Sequence, residues 1–166
     1  MDFSIVYDDI AQQTADVLVS AATTNLQMDG AVADTLQTAA TGPLTEAAAA
    51  EAPVALGDVA VTDAYGLDAE YVIHAAATPS YGSQQASGAS IRAATKAALS
   101  TADSLDCESL VIPVIGTGTA GFEFTDGARI VCDVVSGYES SSLVDVRLIT
   151  NLEQEYDYLE RIVSSR

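Results

Sequence analysis

The apolar run Leu110-Val111-Ile112-Pro113-Val114-Ile115 leads directly into Gly116-Thr117-Gly118-Thr119-Ala120-Gly121-Phe122. No other feature of the chain constrains its fold as strongly. A strand that is apolar at every position is buried on both faces, as in a parallel sheet covered by helices on either side. The glycines that follow mark a strand-to-helix turn. In open α/β sheets, ligands sit at such turns, where strands end at their carboxyl edge. The rest of the chain keeps the same alternation. Phe3–Tyr7, Val17–Ser20, Val59–Thr62, Tyr71–Ala75 and Val144–Thr150 read as strands, alongside Leu110–Ile115. Helices are expected over Gly30–Ala40 with Asp29 as N-cap, from Pro43 to about Glu51, and over Ala89–Leu105, Thr125–Val135 and Glu153–Val163. The stretch at 78–90, rich in Gly, Ser and Gln, is the most loop-like in the chain. Strand–helix alternation of this kind predicts an α/β fold: a three-layer α/β/α sandwich with a mixed, mostly parallel central sheet. No repeat or linker divides the 166 residues, so one domain is expected over 1–166.

Charge narrows the function. There are 24 acidic residues against 6 Lys plus Arg, a formal net charge of −18. The cations Arg92, Lys96, Arg129, Arg147, Arg161 and Arg166 are scattered, so no patch forms to hold a nucleic-acid backbone or an anionic membrane. No run reaches the length of a membrane span and the opening residues lack a secretory pattern, so a cytoplasmic protein is expected. Dense acid with a single lysine suggests a salt-rich cytoplasm, because at ~1 M salt the Debye length falls to roughly 3 Å and self-repulsion is screened. With one histidine and two separated cysteines, Cys107 and Cys132, no metal site is expected. Both cysteines read as small buried hydrophobes.

Two turns carry the candidate chemistry. Around Gly116, Gly118 and Gly121 backbone N–H groups can approach an anion closely. Thr117 and Thr119 add hydroxyls, and Phe122 offers an apolar face to a sugar or base. The second turn runs from Thr23 through Asp29 into Gly30-Ala31-Val32, where a helix N-terminus suits a phosphate. Asp29 complicates that turn, since its carboxylate could cap the same donors. His74 ends the segment Val72-Ile73-His74 and reads as a buried, hydrogen-bonded histidine. Ser20 has no base beside it in the sequence pattern, so it is not read as a nucleophile.

In order and spacing these residues resemble the macro domain, the ADP-ribose-binding module. Asp9-Ile10 is similar to the family's Asp-Ile pair, whose carboxylate accepts a hydrogen bond from the adenine amino group. Val19-Ser20-Ala21-Ala22-Thr23 resembles Val-Asn-Ala-Ala-Asn, and Asp29-Gly30-Ala31-Val32-Ala33 the triple-glycine loop with its helix. Gly57-Asp58-Val59, Ala64-Tyr65-Gly66-Leu67 and Tyr71-Val72-Ile73-His74 fit the next two strands, and Gly116 to Phe122 fits the loop around the second phosphate and distal ribose. The resemblance implies a ligand site made of Asp9, Ile10, Thr23, Gly30, Ala31, Val32, Gly116, Thr117, Gly118, Thr119, Ala120, Gly121 and Phe122. It implies no separate cofactor, and ADP-ribose or ADP-ribosylated protein as partner.

The departures bear on activity. Ser20 and Thr23 stand where the family has Asn, and Ala33 stands where a subset of its hydrolases has Asp. The aromatic that stacks on adenine in many members is replaced by Thr150 and Asn151. Binding is therefore the expected function. The alternative is a hydrolase acting on ADP-ribosylated protein, O-acetyl-ADP-ribose or ADP-ribose phosphate through a bound water, with Thr23 as the only candidate catalytic residue.

Overall fold

The computed structural model describes residues 1–82, 84–117 and 122–165. Within them six strands form one sheet in the order β1-β6-β5-β2-β4-β3. They are β1 (Asp2–Tyr7), β2 (Val17–Thr23), β3 (Val59–Asp63), β4 (Tyr71–Thr78), β5 (Ser109–Ile112) and β6 (Asp145–Thr150). Every neighbouring pair is parallel except β3 with β4. Burial follows position in the sheet. The edge strand β3 alternates buried and less buried residues, whereas β2 begins with four fully covered residues, Val17 to Ser20.

Among the described residues five α-helices cover the two faces: α1 (Ala31–Ala39), α2 (Leu44–Ala50), α3 (Gly88–Ser104), α4 (Phe124–Gly137) and α5 (Glu153–Ser164). Leu36 of α1 and Leu44 and Ala48 of α2 pack on Leu18, Val72, Val111 and Ile149. On the other face Ile91, Ala98 and Leu99 of α3, Val131 and Val135 of α4 and Leu159 of α5 pack on Val17, Val19, Ile73, Leu110 and Leu148. The period-2 alternation of the strands thus sends odd and even residues into two separate apolar layers. The expected three-layer α/β/α sandwich with a mixed, mostly parallel sheet is the observed one. Among the described residues no helix is long and apolar enough to cross a membrane.

Several boundaries differ from the sequence reading, each for a local reason. The run beginning at Leu110 leaves the sheet after Ile112, because Pro113 has no N–H to give to the ladder. Strand β4 continues past Ala75 to Thr78, its Ala76 and Ala77 buried beneath neighbouring elements. Helix α3 begins one residue early behind a reciprocal cap: Ser90 N–H donates to Ser87 Oγ at 3.0 Å and Ser87 N–H to Ser90 Oγ at 2.9 Å. A short 3₁₀ turn at Ile10–Gln12, unforeseen from the pattern, follows β1. Cys107 and Cys132 are both buried, as read.

Candidate functional site

A cavity of about 590 Å³ lies across the carboxyl ends of the parallel strands. That volume falls in the range of clefts that enclose small organic ligands, roughly 300–1,000 Å³. Its place follows from the topology. Strands β2 and β5 are neighbours, yet the chain leaving β2 enters α1 on one face and the chain leaving β5 enters α4 on the other. Two adjacent strands whose exits part to opposite faces open a crevice between them.

Both candidate turns line that crevice. From the β2 exit come Thr23, Gly30, Ala31 and Val32; from the β5 exit come Gly116 and Thr117. Asp9 and Ile10, just beyond β1, line it as well. Gly118, Thr119, Ala120 and Gly121 lie outside the described residues. Phe122 is not part of the wall and packs against the apolar layer shared by α3 and α4, while Phe124, the first residue of α4, faces the cavity.

The start of α1 corrects the capping expectation. Its N-cap is Gly30 with no side-chain cap, and Asp29 is exposed at the rim. The first N–H groups of α1 are therefore not taken by a carboxylate. Helix α4 likewise starts without a side-chain cap, at Glu123. Two helix ends carrying partial positive charge thus border one cavity. No lysine or arginine joins them among the described lining residues, whereas Asp8, Asp9, Asp29 and Glu155 do.

The walls are tied together by short polar links. Ser80 N–H donates to Thr24 Oγ1 and Asn25 N–H to Ser80 Oγ, both at 3.0 Å, which staples the β2 exit to the β4 exit. The Thr23 hydroxyl donates to Asn25 Oδ1 at 2.6 Å, so its proton is engaged within its own turn. Asp9 Oδ1 caps the 3₁₀ turn, accepting from Ala11 N–H at 2.9 Å. Asp8 accepts from Asp9 N–H at 2.8 Å and from Gln13 Nε2 at 3.1 Å. Gly116 has φ +79°, and a Cβ there would lie 2.6 Å from Ile91 Cγ1, so this turn needs glycine with or without a ligand.

At the opposite end Ile149, Thr150, Asn151, Leu152 and Glu155 form the wall. Thr150 Oγ1 donates to Glu155 Oε1 at 2.6 Å. Tyr156 turns away onto Tyr7, with ring centroids 5.8 Å apart, and Tyr158 meets Phe124 edge-on at 6.2 Å. The floor contains two polar residues that the sequence reading set aside, Ser20 and His74. They are buried, and His74 is held neutral: burial pulls its pKa from 6.5 down to about 4. Only their register brings them together, so no local pattern pointed to them. Phe124, Leu152 and Glu155 were missed because helix starts near a sheet's carboxyl edge become wall residues only once the layers are assembled.

The described architecture defines an α/β sandwich with a ligand-sized crevice at its strand-order switch. The macro domain model matches residues 19–131, and the chain belongs to that family. An uncharacterized protein of Mycobacterium tuberculosis is 37% identical over 135 residues, covering 81% of this chain but 37% of its own length. The chain thus spans little more than a third of that relative. An uncharacterized protein of Saccharolobus solfataricus is 33% identical over 170 residues, covering 99% of this chain and 94% of its own. Among solved structures, a variant of the Oceanobacillus iheyensis macrodomain with ADPR superposes with a TM-score of 0.85 at 21% identity, over 97% of this chain and 91% of that one.

Proposed function

We propose that the cavity binds ADP-ribose, or a closely related nucleotide diphosphate, free or attached to protein. One observation carries this reading: two uncapped helix N-termini, leaving adjacent strands to opposite faces, border one crevice without a lysine or arginine among its described walls. Backbone donors and helix dipoles are the means of holding a diphosphate in a chain of net charge −18. The diphosphate would lie between Gly30-Ala31-Val32 and Gly116-Thr117. Asp9 spends Oδ1 on its own turn, so Oδ2 would accept from the adenine amino group, with Ile10 beside it. The ADPR in the Oceanobacillus structure supports this choice of ligand. Thr23 would sit near the distal ribose as a binding residue.

We further propose that residues 1–166 act as one macro unit in a salt-rich cytoplasm, where the net charge of −18 is screened.

The test is a calorimetric titration of ADP-ribose in molar KCl, with AMP and a UDP-sugar alongside. The decisive variant is Gly30→Asp. Gly30 has φ −84° and nothing lies within 4 Å of a Cβ placed there, so the fold accepts a side chain. Aspartate at an N-cap keeps helix stability within a few tenths of a kcal/mol of glycine or improves it. It also puts a carboxylate where the phosphate belongs. Expected are saturable binding of ADP-ribose by the wild type and its loss in Gly30→Asp at a melting temperature no lower than that of the wild type. Equal affinity in the two proteins would refute the site, and no binding by the wild type would refute the function.

A further inference from the structure

Ser20 and His74 are register partners on the parallel strands β2 and β4, side by side on the face that carries α1 and α2. Neighbouring strands run ~4.8 Å apart, so the two side chains stand next to each other. Both are within 1% of complete burial, and both line the floor of the cavity. Around them the same sheet face is apolar, with Leu18, Val72 and Val111. The pair therefore makes a polar notch in a hydrophobic floor.

The Ser20 hydroxyl has no hydrogen-bond partner among the described residues. A buried hydroxyl left unpaired costs about 1–3 kcal/mol, and native proteins nearly always satisfy such groups. His74 Nε2 is already 3.0 Å from Thr62 Oγ1 on β3, so Nδ1 is the ring nitrogen left to face elsewhere. We propose that Ser20 Oγ and His74 form a floor subsite for one neutral hydroxyl, filled by water in the free protein and by a sugar hydroxyl of the ligand in the complex. The second half rests on the nucleotide reading above; the first does not.

The chemistry of the notch selects a hydroxyl over a phosphate. Burial keeps the imidazole uncharged at neutral pH, and serine supplies no charge. The N–H groups of β2 and β4 at this level lie in the plane of the sheet and serve its ladders, donating to carbonyls of neighbouring strands, so the notch has no cluster of free backbone donors like the helix ends above it. A hydroxyl both donates and accepts, which matches an imidazole nitrogen on one side and a serine on the other. An anion lowered into the notch would lose its hydration and gain no positive partner.

The test has two arms. High-resolution crystals of the unliganded protein should show a water about 2.5–3.0 Å from Ser20 Oγ. In molar KCl, Ser20→Ala should bind ADP-ribose about five- to tenfold more weakly than wild type, the loss expected for one neutral hydrogen bond. Ser20→Cys keeps a group of similar size with a poor donor and should show the same loss should the alanine variant fold badly. ADP, titrated in parallel, assigns the hydroxyl: a loss confined to ADP-ribose places it on the distal sugar, and a loss shared with ADP places it on the nucleoside sugar. A dry Ser20 Oγ, or an unchanged affinity in both variants, overturns the subsite. If the wild type binds neither nucleotide, the nucleotide reading falls, and the ordered water still decides the floor.

Discussion

His74 Nε2 lies 3.0 Å from Thr62 Oγ1 across the antiparallel β3–β4 pair, and both side chains are buried. Burial disfavours the imidazolium, so the folded pKa is about 4 against 6.5. Between those values the unfolded chain binds a proton that the folded chain does not. Stability therefore falls as pH drops from 6.5 toward 4 and is unaffected by this group above 6.5. At 1.36 kcal/mol per unit the full effect is about 3 kcal/mol. His74→Gln cannot protonate. Urea unfolding of both proteins at pH 7 and pH 4.5 should show the wild type losing more stability on acidification than the variant. The acidic residues titrate in both and drop out of the difference.

What was legible in the sequence, and what was not, divides along the range of the interactions. Leu110 to Ile112 is apolar because both faces are covered, and that much is written in the run itself. The alternation of strands with Ala-rich segments led to the layer order, and the glycine turns fell at strand exits as read. Asp29 was misread as a cap because Asp before a helical segment is the usual signal, while Gly30 takes the cap position instead. Phe122 was assigned to the cavity and Phe124 was not, although two positions of backbone geometry after the turn decide which ring faces inward. Ser20 beside His74 had no local signal at all. Their meeting depends on the parallel register of strands 54 positions apart, which only the assembled sheet fixes.

Gly127 in α4 presses on the β5 exit. A Cβ at this position would lie 2.5 Å from Thr117 Cγ2 and 3.4 Å from Val114 Cγ1. Gly127→Ala gains helix propensity but overpacks the contact, and the expected net cost is about 1–3 kcal/mol. Thr117→Ser removes the offending methyl while keeping the hydroxyl that donates to Val114 O at 3.0 Å. The double variant should recover most of the stability lost by Gly127→Ala. Additive losses in a double-mutant cycle of melting curves would disprove the contact.

Asp103, near the end of α3, ties three segments together. Its carboxylate accepts from Tyr138 Oη at 2.7 Å, from Ser142 and Leu143 N–H at 2.9 Å, and from Ser141 N–H at 3.1 Å. Burial pushes its pKa up, but the hydrogen bonds from Tyr138, Leu143, Ser142 and Ser141 together outweigh it and hold the group below its ordinary 3.8. The stabilisation is present above 3.8 and is lost as pH falls through the lower folded value. Asp103→Asn removes the charge and turns one acceptor into a donor. It should cost about 1.5–3 kcal/mol at pH 7, the worth of a charged hydrogen bond. The gap between the two proteins should narrow near pH 3, as followed by urea unfolding.

Salt should act on binding with an inverted sign. When a basic surface grips a polyanion, counterions are released and affinity falls as salt rises. Here the described cavity wall holds no lysine or arginine and carries Asp8, Asp9, Asp29 and Glu155, within a chain of net charge −18. An incoming diphosphate is repelled at long range, and its attraction to the helix ends is short-ranged and sheltered. Raising KCl from ~0.1 M to ~1 M cuts the Debye length from about 10 Å to about 3 Å, which screens the repulsion first. The same change relieves self-repulsion in the fold. The expected outcome is a melting temperature and an ADP-ribose affinity that both rise over this range, while an uncharged osmolyte raises only the melting temperature. Affinity that falls steeply with KCl would mean that positive side chains hold the phosphates, and the backbone-donor account of the site would have to be abandoned.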